Sequence, residues 1–356
     1  MHQSLDQYLL KPIKSIQVVK CKTQSYDALA SQNRVNMNHT TFNATISSCG
    51  GSLYSINLAN ISLDLLAVLI VRIVVNALTC SLTTVLNILV MVAIKTTSQL
   101  RTKSNVALAC LSTTDLIVGL VLQPLHITAS SLLLRGERIF CTITEISKTT
   151  SIICILASLH NLFLMSAERY IAIKHPFRHE TQVTEVRIIM ASALAWATAI
   201  ILYTVGLPPS VILIVSETLL IILPIYFNVS VYKEVRRNEK QIAANQVSVE
   251  AKEKFLKKRK AFYTTIIVLL VILLCYVPVN VCVIILHSFK ERIPPNVTVN
   301  ALFLLNLLLV LNSLFNPLIY AFRIRYFRVS FIQLLSRKSI SEVEEFEKKI
   351  FRTGQI

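Results

Sequence analysis

The sequence predicts an all-α membrane protein, a bundle of seven spanning helices, and three observations carry that prediction. Of its 356 residues 54% are apolar and only 15% charged, whereas a soluble domain carries about a quarter charged residues. Seven stretches are apolar over the length that crosses hydrocarbon as a helix, about 20 residues. The basic residues gather on alternate connections, as the positive-inside rule demands of a multi-pass chain.

Residues 1–65 come first, polar and rich in Ser, Asn and Thr. They are expected to form a mostly disordered extracellular tail. The first 20 residues lack an unbroken apolar core with a small-residue cleavage site, so no secretory signal is expected there. The membrane domain is expected over 66–322. Its spans fall at about 66–94, 104–127, 140–172, 186–207, 211–235, 261–286 and 299–322. Each must be helical, because backbone N–H and C=O groups find no water inside lipid. Pro124, Pro224, Pro278 and Pro317 lie within these stretches and are tolerated as kinks in a membrane bundle.

A formal net charge of +17 would suggest nucleic acid as partner for a soluble protein. Position decides otherwise. Lys95, Arg101 and Lys103 follow the first span, and Arg169, Lys174, Arg178 and Arg187 surround the end of the third. Arg236, Arg237, Lys240 and the run Lys257-Lys258-Arg259-Lys260 follow the fifth. The opposite connections hold Arg135 and Arg138, then none, then Lys290 and Arg292. The charge therefore faces the cytoplasm and the N-terminus faces outward, at the plasma membrane and without nucleic acid as a partner. Glycosylation sequons begin at Asn38, Asn43 and Asn60 in the tail and at Asn296 in the last outer loop, all on the outer side. A further match at Asn228 falls inside the fifth span and is expected to be inert.

Phosphate-cradling glycine loops and the H-E-x-x-H signature do not occur, and the eight cysteines form no C-x-x-C pair. An intramembrane hydrolase would need a nucleophile, base or metal ligands assembled at depth, and only isolated Ser and His residues are found there. No enzymatic activity is expected. A transporter or channel is the alternative reading, since intramembrane charges can line a path; its paired broken helices in two similar halves do not appear.

Asp115, Asn87 and Asn316 sit at depth in three spans. An Asp at mid-bilayer costs roughly 2.5–3.5 kcal/mol on insertion scales, so each must face the interior. Two readings stand: helix-gluing hydrogen bonds, or a functional centre. The wider pattern resembles the rhodopsin-like (class A) G-protein-coupled receptors over about residues 80–330. Asn87 and Val90 mark the first span, L-S-T-T-D ending at Asp115 the second, and Glu168-Arg169-Tyr170 with Ile173 and Pro176 the third. Trp196 marks the fourth, Pro224 with Tyr232 the fifth, Cys275-Tyr276-Val277-Pro278 the sixth, and Asn316-Pro317-Leu318-Ile319-Tyr320 the seventh.

The resemblance implies a receptor that binds an extracellular ligand and activates a heterotrimeric G protein through its cytoplasmic helix ends. It also implies a short amphipathic helix after the seventh span, carrying Phe327 along the inner membrane lipids, within a cytoplasmic segment 323–356. Asp115, Ser158, Asn312, Ser313 and Asn316 match a sodium pocket, where oxygen ligands suit a hard cation. Sodium there is an allosteric ligand that favours the resting state. Arg169 matches the switch arginine held by Glu168, Tyr232 and Tyr320 match tyrosines that support it when active, and Phe177 matches an apolar knob that docks on the G protein. Lys258 stands where an acid often caps the arginine, so ligand-independent signalling is expected, to be lowered by Lys258→Glu.

The second outer loop shrinks to about Val205–Ser210 and holds no cysteine, as in melanocortin receptors, a weak likeness because their acidic ligand pattern is missing. Cys141 is then either free or paired with Cys49 or Cys21. The open ligand pocket is expected to use Gln123, His126, Lys148, Ser151, Glu217 and Tyr276, with Glu145 also on the third span. Glu217 either contacts a ligand or pairs with a neighbour such as Lys148. Ser151 where amine receptors carry Asp disfavours monoamines, and Val310 where opsins carry the Schiff-base lysine excludes retinal chemistry. Peptide, lipid and small-molecule ligands stay open.

Overall fold

The computed structural model describes residues 62–137, 139–204, 209–244, 249–289, 292–336, 342–343 and 345. The chain divides into two units, Met1–Ala44 and Thr45–Ile356, and all described elements belong to the second. The expected tail, with Asn38, Asn43, Asn60, Cys21 and Cys49, and the short connection at 205–208 lie outside the described residues.

Seven helices among the described residues are long and apolar enough to cross a membrane. They are Leu63–Thr96, Lys103–Leu134, Phe140–Lys174, Glu185–Thr204, Pro209–Ala244, Val249–Ser288 and Pro295–Arg323. Two shorter helices, Pro176–Gln182 and Arg325–Ser336, follow the third and seventh. Entry is set locally. The Ser62 hydroxyl accepts from the amide of Leu65, and the Thr102 hydroxyl from that of Asn105, while Pro176 and Pro295 occupy first-turn positions whose N–H would be orphaned in any helix.

Two boundaries differ instructively from expectation. The fifth and sixth helices run into charged sequence beyond 235 and before 261, because apolarity marks only the lipid-buried part of a helix. The seventh begins at Pro295, so Asn296 lies in its first turn and not in a loop, and the Thr298 of its sequon is buried and bonds back to the carbonyl of Pro294. Asn228 is buried in the fifth span, donating to Ser166 Oγ and to the carbonyl of Pro224.

The third span is the central stave, packing against the second, fourth, fifth and sixth. Its Leu159, Leu162 and Met165 join Leu111, Val268, Ile272 and Tyr320 in the main apolar core. Asn161 donates to Thr114 Oγ1 at 3.1 Å and accepts from Ser192 Oγ at 2.7 Å, tying second, third and fourth spans. The first span turns Ile70, Val74, Leu78, Val85 and Ile88 outward, the apolar face a lipid-bathed helix presents.

The second span is not regular. Val118–Leu122 forms a wide π-turn, one residue longer than an α-turn, next to Pro124, whose missing N–H leaves a ladder bond unmade. Here Gly119 lets the first span approach. A Cβ on it would meet Thr84 Oγ1 at 2.7 Å and the Thr84 nitrogen at 3.1 Å, and Cys80 Sγ donates to the Gly119 carbonyl.

Candidate functional site

Three polar centres lie along the bundle. The outermost is a cavity of about 430 Å³, within the range of small-ligand sites. His126, Lys148, Ser151, Glu217 and Tyr276 line it. Gln123 does not. It is fully buried and donates to Thr79 Oγ1 at 2.6 Å, because the extra residue of the π-turn re-aims the next turn of helix toward the first span. Glu217 shares a hydrogen bond with Asn280 of the sixth span, while Lys148 pairs with Glu145 at 3.6 Å. His160 lies away from the cavity, its Nδ1 2.7 Å from the carbonyl of Leu156.

The wall also holds a residue that no sequence motif marks. Arg72 of the first span is 5% exposed, and its guanidinium carbon stands 4.5 Å above the Phe303 ring of the seventh. Its position alone could have found it, since Arg72 is the one arginine within the first apolar stretch. Cys141, on the same outer end, is disulfide-bonded; its partner is not among the described residues, where Cys80, Cys110, Cys154, Cys275 and Cys282 are free.

Beneath the cavity sits Asp115, fully buried. It accepts from Asn316 Nδ2 at 2.8 Å and from the Ser313 hydroxyl. Asn87 Nδ2 donates to the carbonyl of Ser313, closing a tie across first, second and seventh spans. Asp115 Oδ1, Asn312 Oδ1 and Asn316 Oδ1 are buried without hydrogen-bond partners. A space of about 20 Å³, room for about one water, lies between the two centres. Ser158 and Ser313 wall it below, and Ser151 and Tyr276 wall both it and the outer cavity.

At the inner end Glu168 and Arg169 are 4% and 6% exposed. Arg169 Nε stands 3.4 Å from Glu168 Oε2, an ion pair. The other carboxylate oxygen accepts from Ser104 Oγ at 2.8 Å and lies 2.7 Å from His179 Nε2. Neither Ser104 nor His179 is expected here from sequence. His179 arrives from the short helix after the third span, aimed by the break at His175, and the sequence carries no signal for that angle. Tyr170 packs on Phe227 at 5.0 Å. Pro176 and Phe177 are exposed, the phenylalanine at 87%. Tyr232 is exposed with Arg236 over its ring, whereas Tyr320 is fully buried against Phe327 of the last helix, its hydroxyl without a hydrogen-bond partner. Lys258 donates to the Ala172 carbonyl at 3.2 Å, so the sixth helix is tied to the third by a lysine where the family often uses an acid.

Residues 86–211 and 208–320 match the family described as 7 transmembrane receptor (rhodopsin family), more than half of the chain. This protein belongs to that family of receptors. Among its relatives, adenosine receptor A2b of Mus musculus is 24% identical over 305 residues, covering 72% of this chain and 87% of the relative. The D(1B) dopamine receptor of Rattus norvegicus is 34% identical over 117 residues, 33% of this chain and 24% of that receptor. The histamine H2 receptor of Homo sapiens is 32% identical over 141 residues, 39% of this chain and 38% of the relative. The match thus spans about a quarter of the dopamine receptor's length. Among the described residues the regular elements are helices, and the receptor is a multi-pass membrane protein.

Proposed function

We propose that this receptor binds an extracellular ligand in the outer cavity and activates a heterotrimeric G protein from the plasma membrane, with its N-terminus outside. The observation that carries the reading is the inner cluster: a buried arginine paired with the acid beside it, at the end of the helix on which the bundle packs. Signalling of this kind needs no chemistry. A ligand shifts an existing equilibrium by its differential affinity for two packings. Glu168 holds Arg169 in the resting packing. Tyr320, buried with an unused hydroxyl, and Tyr232, at the surface, turn toward the arginine when the sixth helix moves. Phe177, apolar and 87% exposed, is the contact for the G protein.

Sodium suits the central acid. Asp115 keeps one carboxylate oxygen unpartnered, and the buried Oδ1 atoms of Asn312 and Asn316 are unpartnered too; in this all-oxygen donor set Asp115, Ser158, Asn312, Ser313 and Asn316 would hold the ion. The bound cation supplies a positive charge that stabilises the resting packing. For the tail, Asn38, Asn43 and Asn60 are proposed glycosylation sites.

G-protein recruitment in cells against a ligand library tests the reading, with Arg169→Ala as control. Recruitment above baseline that Arg169→Ala abolishes is the expected result. Ligand-free conductance or uptake in proteoliposomes, with no recruitment, would favour a transporter or channel instead.

A further inference from the structure

We propose that Glu239, at the inner end of the fifth helix, is a positioning residue that clamps the fifth helix to the sixth and, through Arg236, keeps Tyr232 turned outward in the resting receptor. This rests on the signalling reading and adds a restraint to it. Lys258 stands where an acid often caps Arg169; here an acid of the fifth helix meets the very next residue of the sixth, Arg259.

One carboxylate serves two helices. Glu239 Oε1 accepts from Arg259 Nη1 at 2.7 Å, and Oε2 stands 3.4 Å from Arg236 Nη1, one turn back on its own helix. Arg236 in turn donates through Nε to the Tyr232 hydroxyl at 3.1 Å, with its guanidinium carbon 5.4 Å from the centre of that ring. A chain of contacts thus runs from the sixth helix through Arg259, Glu239 and Arg236 to Tyr232, whose hydroxyl is occupied while Arg236 keeps it. The apolar contact nearby, Val231 and Val235 with Phe262, is non-directional; the forked guanidinium of Arg259 fixes a register. The Glu239 side chain is only 22% exposed, so its pair is screened less than one in open solvent. Lys258 meanwhile donates to the Ala172 carbonyl at 3.2 Å. Two consecutive residues therefore hold the sixth helix to the third and to the fifth. When the sixth helix swings out both contacts part, Arg236 loses the acid that fixes it, and Tyr232 is released. The pair Glu234–Arg237, at 2.9 Å, lies within the fifth helix, joins no second helix and serves as a control.

The test uses the full-length receptor and two readouts. The first is ligand-free second-messenger output at matched surface expression. Glu239→Gln and Arg259→Gln should each raise it about 1.5- to fivefold, the range for losing one partly exposed ion pair. Arg259→Lys keeps a charge for Glu239 and should stay near the native level, as should Glu234→Gln. Adding Arg259→Gln to Glu239→Gln should change nothing more, because both remove the same contact. The second readout needs no G protein. In nanodiscs, a nitroxide pair on genetically encoded side chains at the exposed positions Lys240 and Lys260 reports the separation of the two helices. One short distance is expected in the native receptor, and an added longer population in Glu239→Gln. Native-like distances in Glu239→Gln overturn the proposal. So does output that is unchanged, lowered or additive in a receptor that signals. A longer distance with no G-protein signal from any form would sink the signalling reading and leave the clamp standing.

Discussion

Replacing His179 by Phe keeps a ring at a position only 8% exposed while removing the nitrogen 2.7 Å from Glu168 Oε1. The two carboxylate oxygens have separate duties. Oε1 takes Ser104 and His179; Oε2 faces Arg169 at 3.4 Å, a distance and geometry of an ion pair and not a hydrogen bond. The carboxylate is therefore aimed through one oxygen and used through the other. Losing a buried hydrogen bond to a charged acceptor costs about 1.5–3 kcal/mol. If only the resting packing makes it, a loss of about 2 kcal/mol shifts the equilibrium roughly 30-fold. A receptor about 1% active without ligand would become roughly one-fifth active. Ligand-free second-messenger output, at matched surface expression, should rise accordingly. Ser104→Ala should do less, because Ser104 is only half buried and water can replace its hydroxyl. Output from His179→Phe equal to or below the native level would refute the reasoning.

Three further outcomes are expected. Replacing choline by sodium at about 150 mM should raise the melting temperature by about 2 °C, for a site half-filled near 50 mM, and Asp115→Asn should abolish the difference; a persisting sodium effect would place the ion elsewhere. Gly119→Ala forces a Cβ against Thr84 and should cost about 1–3 kcal/mol, seen as lower surface expression and melting temperature, with Thr84→Ala relieving only the hydroxyl part. Lys258→Met removes the bond to the Ala172 carbonyl and should raise basal output about fivefold, for about 1 kcal/mol, with Lys258→Glu lying below Lys258→Met; no rise with Met would make that bond incidental.

The parts of this receptor that lipid dictates are legible in its residues. Span number follows from the length of apolar sequence needed to cross hydrocarbon, and Asp115, Asn87 and Asn316 announce themselves as polar groups where polarity is expensive. The same rule singles out Arg72, although no motif includes it. The features that escape a sequence reading depend on angles. Gln123 turns to the first span because a π-turn precedes it, and nothing in Val-Gly-Leu-Val-Leu declares an extra residue per turn. His179 reaches Glu168 from eleven residues away only because the chain breaks at His175 with φ −132° and ψ 64°. Asn296 reads as loop because a helix that outruns the bilayer keeps no apolar signature in its first turn.

Ser151, Ile155, Tyr276 and Leu309 line both the outer cavity and the small chamber beside it, so one layer of side chains serves both. A ligand in the outer cavity that shifted any of these four side chains would reshape the smaller space directly. Coupling between the two spaces would then need no distant wiring, only movement within that shared layer.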